Sequence, residues 1–256
     1  MTAPVVSGIP QAFGFTAPNT PLTYTGGGAT GSDVWDILFV ISDATVPTPG
    51  VGWAPLPGAS RVVNAGSYVF ARQGGSTAAT IGPSVPTNTL VLWVRIATSL
   101  GNDAAATAVA GLDANIGSSS PALVSGALAE ANEAALAFSA QHGLNTLPSA
   151  WNWSTGYAPL ISAVQGSGST GAAGSVAIKV PAGPGTEAPS VAWTGPNAER
   201  YLLFVAFRGT AAVPPPVVHP HPDVIVQANL DVLHVRVPMT PHLQYYGPPR
   251  VAVHLG

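Results

Sequence analysis

The chain contains no cysteine, only one lysine (Lys179), and only 7% charged residues. Without cysteine there are no disulfides, thiolate metal sites or cysteine nucleophiles. With few cations and a net charge of −3, there is no Lys/Arg stripe to neutralise phosphates, so nucleic acid is not an expected partner. No run of about 18 apolar residues occurs, so no membrane-spanning helix is expected. The opening Met1-Thr2-Ala3-Pro4 is not a basic stretch followed by an apolar one, so no Sec signal is expected. Ordinary soluble domains are roughly a quarter charged; this chain must meet water with Ser, Thr, Asn and Gly instead.

What it does have is 29 Gly and 26 Pro beside 46% apolar residues. Gly and Pro at that level would suggest disorder in a polar chain, but the apolar content supplies a core. The apolar residues come in short runs bounded by Gly/Pro/Asn/Ser clusters, the pattern of an antiparallel sandwich.

Two pentapeptides nearly coincide: GWAPL at 52–56 and GYAPL at 156–160, an offset of 104. Their surroundings repeat in the same order. Asp36–Ser42 precedes the first and Glu133–Ser139 the second, offset 97; Gly66–Phe70 and Gly174–Ile178 follow at 108; Leu90–Val94 and Tyr201–Val205 at 111. A steadily growing offset is what a duplicated unit with slightly longer loops in its second copy produces. In each copy Gly supplies a permissive backbone, the aromatic caps the core, and Pro blocks a helix, so the pentapeptide reads as a structural corner. Four strands with one apolar face cannot bury it alone, so the halves are expected to pack sheet on sheet. The Ala/Glu/Leu-rich segment 121–140 has helical propensity, but the repeat sets Ala134–Ser139 opposite Ile37–Ser42, so a strand is expected there.

The acid-led run Asp36–Ser42, the Pro-Gly-x-Gly-Trp corner at 49–53, and TEAPSVAWTG (186–195) ahead of the aromatic-apolar stretch Tyr201–Gly209 form a recurring set. Together they resemble the duplicated jelly-roll-like modules of minor tail and other virion surface proteins of phages that infect actinobacteria, over about residues 13–210. The resemblance implies an all-β, jelly-roll-like antiparallel sandwich in a non-enzymatic virion structural protein. By the same resemblance it would be made in the host cytoplasm, assemble as a homo-oligomer such as a trimer, and use no cofactor. A head decoration protein and a carbohydrate-binding or carbohydrate-cleaving module for host cell-wall glycans are the alternatives.

The expected organisation is an arm at 1–12, a duplicated sandwich at 13–210 (halves 13–98 and 105–210), and an extension at 211–256. VPPPVVHPHP (213–222) is a stiff Pro-rich linker. After it, Leu233, Val235 and Val237 alternate with His234 and Arg236, a strand pattern without partners of its own. The extension is therefore expected to dock on a neighbouring subunit or other virion protein, strand addition being one such mode, with His234, Arg236, Tyr245, Tyr246 and Arg250 as its contact residues.

Chemistry is sparse. No Gly-x-Ser-x-Gly elbow occurs, and GSGSTG at 166–171 lacks the Lys-Ser/Thr ending of a phosphate loop. Asp33 with Asp36, or Glu130 with Glu133, could form a glycosidase pair, but Asp36 and Glu133 read as repeated strand-leading acids. His219-x-His221 lies among the prolines of a linker, so no metal is expected. Trp151, Trp153 and Tyr157, interleaved with Asn152 and Ser154, suit a sugar's apolar faces and polar rim; they are the candidate glycan contacts, or else a plug for one end of the sandwich.

Overall fold

The structure is a computed structural model that describes residues 2–62, 66–112, 121–143, 151–167, 170–193 and 199–210. The extension from 211 onward, with its candidate docking residues and histidines, lies outside them. Strands dominate the described residues, and no α-helix occurs among them. The first half holds β1 (Val5–Val6), β2 (Gln11–Phe15), β3 (Thr20–Thr23), β4 (Gly31–Ser42), β5 (Ala54–Val62), β6 (Gly66–Gly74), β7 (Ala78–Ile81) and β8 (Thr89–Ala97). The second holds β9 (Ser99–Leu112), β10 (Ala134–His142), β11 (Trp151–Trp153), β12 (Ala158–Gln165), β13 (Ala172–Lys179), β14 (Val191–Trp193) and β15 (Glu199–Gly209). The helix-prone segment does yield a strand, β10, because its Ala-rich stretch is clamped between β13 and β15.

Each half builds its own antiparallel sheet, and the two sheets share one strand order. The first runs β5-β6-β4-β8, with β1 and β2 both on the far edge of β8; the second runs β12-β13-β10-β15-β9. Residues 1–12, set apart by sequence as an arm, thus contribute Val5 and Val6 and the start of β2 to the first sheet. The sheets pack face to face through Ile37, Phe39, Ile41, Leu92 and Val94 on one side and Leu136, Phe138, Leu203 and Val205 on the other, all buried. This is the all-β sandwich of two similar halves that the sequence implied.

The register refines the repeat. Phe39 stands between Val69 and Leu92, and Phe138 between Val176 and Leu203. These equivalent phenylalanines meet across the sandwich, ring centroids 5.0 Å apart. Matching core-facing rows in this way gives offsets of 99 for β4/β10 and 107 for β6/β13, in place of 97 and 108, while 104 and 111 stand. Asp36 therefore corresponds to Ala135, not to Glu133, which lies just ahead of β10. The acids looked equivalent because both lead an apolar run ending in Ser. The one-residue correction in β6/β13 exchanges the two faces of the strand, so the core fixes that register. The two-residue correction in β4/β10 keeps the faces and follows from the shared cross-strand row of Phe39 and Phe138.

Both faces of each sheet are buried, where the sequence suggested one. The β3–β7 ribbon, with Val46 and Trp53, covers Leu38, Val40, Phe70 and Trp93 on the outside of the first sheet. The β11–β14 ribbon, with Leu123, Leu128 and Tyr157, covers Ala135, Ala137, Leu202 and Phe204 on the outside of the second. Central strands covered on both faces read as continuous apolar runs rather than alternating ones. The halves are joined at Thr98 alone, between β8 and β9. Its φ of 58° is unfavourable for a β-branched residue. Its hydroxyl donates to the Ala3 carbonyl at 3.0 Å, tying the crossover to the N-terminal edge.

Candidate functional site

The repeated corner is the same turn in both halves. The Trp53 amide donates to the Gly50 carbonyl (3.3 Å) and the Tyr157 amide to the Ser154 carbonyl (3.1 Å). In each turn the third residue is glycine, at φ 84° for Gly52 and 90° for Gly156, the positive φ that a type II turn requires there. The aromatic that follows folds inward: Trp53 meets Trp93 edge-on at 5.4 Å, and Tyr157 is buried against the second sheet.

Glycine does a second job at this corner. A Cβ on Gly52 would lie 3.0 Å from Arg72 Nε, and one on Gly156 would lie 3.4 Å from Lys179 Cε. Arg72 and Lys179 are equivalent under the offset of 107, so each corner glycine lies against the stem of a cation from the next strand. Sequence comparison at 108 set Arg72 against Val180 and so hid this pair.

The two cations differ in what they meet. Lys179 Nζ donates to Glu187 Oε2 at 2.8 Å, the Tyr157 hydroxyl donates to the same oxygen at 3.2 Å, and the ammonium lies 5.6 Å from the Tyr157 ring centroid. Burial first, and the Glu187 charge second, push the Tyr157 phenol well above its ordinary range. It therefore stays a donor. Arg72 lines an open groove of about 290 Å³ with Pro49, Val51, Trp53 and Thr80.

The candidate glycan aromatics come together, but on the sheet. Trp151 and Trp153 are half-buried and pack against the cluster that covers the second sheet, while Asn152 between them is exposed. Trp153 Nε1 donates to Ser175 Oγ at 3.0 Å, and its ring lies 6.3 Å from Tyr157, 30° from parallel. Trp151→Ala/Trp153→Ala is accordingly expected to destabilise the fold by about 3 kcal/mol or more, read as an earlier urea midpoint.

The candidate carboxylate pairs are not poised for hydrolysis. Asp33 is exposed, whereas Asp36 is fully buried and accepts from Arg95 Nε and Trp93 Nε1, both at 2.9 Å, and from the Ser76 amide. The Arg95 guanidinium also donates to the carbonyls of Gly27 at 3.0 Å and Ser76, and lies 4.4 Å from the Tyr24 ring centroid. This ion pair clamps the β3–β7 layer onto the first sheet.

Glu133 is fully buried and accepts from the Glu130 amide at 2.9 Å, while its second carboxyl oxygen has no hydrogen-bond partner among the described residues. Burial, with the Asp103 and Glu130 charges adding to it, pushes its carboxyl up from 4.5 to about 7. The folded protein thus holds this proton where the unfolded chain releases it. Its contribution to stability is full below 4.5 and is lost as pH rises toward 7. Glu133→Gln is expected to raise the melting temperature at about pH 8 more than at about pH 5; equal shifts would contradict the buried proton.

Other polar groups tie the halves together. His142 Nδ1 lies 3.1 Å from Asp43 Oδ1, and burial lowers the imidazole's pKa despite that neighbour. Asn88 Nδ2 donates to Thr170 Oγ1 at 2.9 Å, so Thr170 meets the first half. No group of three or more His, Asp or Glu able to hold a metal occurs among the described residues. No helix of the described residues is long and apolar enough to cross a membrane. No family model, curated protein or solved structure matches the chain.

Proposed function

We propose that the protein is a non-enzymatic structural component of a bacteriophage virion, a minor tail protein present in several symmetric copies. What carries this reading is the duplicated sandwich, each sheet of which is sealed on both faces. The buried polar contacts support it: the Asp36–Arg95 ion pair, and Asp43 with the His142 imidazole, tie layers and halves together instead of converging on a cavity. Such a body suits a particle component that must stay folded outside a cell. The sequence signatures at 36–53 and 186–209 point to the same class, and residues 213–256 would supply the contact to neighbouring virion proteins.

Immunogold labelling of intact virions with antibody to residues 13–210 tests the assignment. Gold at the tail is the expected result. Gold over the head would replace it with a capsid decoration role, and no label on any particle would favour the glycan-directed module. Truncation after residue 212 is expected to leave the sandwich folded and to abolish incorporation or oligomerisation; unchanged assembly would remove the docking role of the extension.

A further inference from the structure

The two corners are copies of one turn, and only the second has its cation satisfied. There, a segment of the chain lays a carboxylate on Lys179. The segment between β13 and β14 runs through residues 180–190, and reciprocal bonds at 2.8 Å between Ser125 and the Glu187 backbone hold it in place. In the first half, only residues 75–77 separate β6 from β7. That is too short to return an acid to the corner, and the Ser76 amide is already given to Asp36. Arg72 makes no ion pair or side-chain hydrogen bond among the described residues.

We propose that the groove beside Arg72 is a docking site for a glutamate-bearing extended peptide of a partner protein, seated as Glu187 is seated on Lys179. The chemistry of the exchange is consistent. In the second half two donors, the Lys179 ammonium and the Tyr157 hydroxyl, converge on one carboxylate oxygen. In the first half Trp53 replaces the tyrosine, and its indole N–H is spent on the Ala78 carbonyl at 3.4 Å. An arginine fork supplies two parallel donors by itself, so a single Arg72 can do the work of the pair. Val51, 94% exposed, gives the groove an apolar lip for the residues that flank the acid. At about 290 Å³ the groove lies just below the range that encloses small-molecule ligands. It suits one side chain of a segment that otherwise runs along the surface, and the chain's own precedent is such a segment, Thr-Glu-Ala-Pro-Ser at 186–190.

The test uses the full chain and a capped synthetic peptide, TEAPSVA, with TQAPSVA and glucuronic acid as comparators, followed by calorimetry and tryptophan fluorescence. Saturable binding of the glutamate peptide is expected, with about tenfold or greater weakening for the glutamine peptide. Arg72→Gln should weaken it equally, and Arg72→Lys, which keeps the charge but has no second donor beside it as Lys179 has in Tyr157, should restore it only in part. Should Arg72→Gln fail to fold, Val51→Asp at the exposed lip is expected to repel the peptide without touching the core. Binding indifferent to both variants, no saturable binding, or capture of glucuronic acid but not the peptide would overturn the proposal. Failure here leaves the virion assignment intact, because the labelling experiment does not involve this groove.

Discussion

Asp36→Ala is expected to cost about 3–5 kcal/mol of folding stability, a large part of the roughly 5–15 kcal/mol that holds a domain together. The cost comes less from the lost attraction than from what remains. Arg95 is 2% exposed, and without Asp36 its charge would be stranded between the first sheet and the β3–β7 layer. The second half shows how the same position is filled without charge: Asp36 corresponds to Ala135 and Arg95 to Ala206, both buried and apolar. The double variant Asp36→Ala/Arg95→Met should therefore recover most of the loss, since a buried pair is often replaceable by packed apolar groups. Urea denaturation of the two single variants and the double variant reads the coupling. Additive losses would mean that the pair does not act as a unit.

Phe39→Ala and Phe138→Ala form the second large expectation, each costing about 3–5 kcal/mol. Both rings are fully buried and each is the central core residue of its half, so either truncation opens a cavity at the same contact. Their rings touch at 5.0 Å, and the double variant should lose less than the sum of the singles by about 0.5–1.5 kcal/mol. The comparison also tests the register. If 97 were the structural offset, Phe39 would correspond to Leu136 and the rings would have no reason to meet as equals. A coupling near zero between them would argue against the pairing described here.

The strands were legible because they are apolar runs between Gly and Pro clusters, and β10 was recovered against its own helical propensity because the repeat supplied a second copy to compare. Within the candidate site, sequence located the corner and gave it a structural role, which the paired turns at Gly52 and Gly156 bear out. It also singled out Trp151, Trp153 and Tyr157, which do gather, though packed on a sheet and joined to Ser175 and Glu187. Arg72 was missed. Its only signal was equivalence to Lys179, and that signal needs an offset of 107, which apolar similarity between β6 and β13 does not single out from 108. The outer ribbons were missed for a related reason: β3, β7, β11 and β14 are three or four residues long, too short for a period to register.

By itself, then, the sequence determined an all-β chain, its duplication and the position of its repeated corner, because composition, run length and internal similarity are properties of the linear chain. Only the tertiary structure decided the register, the covering of both faces of each sheet, the clamp between Asp36 and Arg95, and the contrast between a satisfied Lys179 and an unsatisfied Arg72. Those depend on which side chains share a face and what lies across from them. A shift of one residue, invisible in a comparison of apolar runs, exchanges one face of a strand for the other.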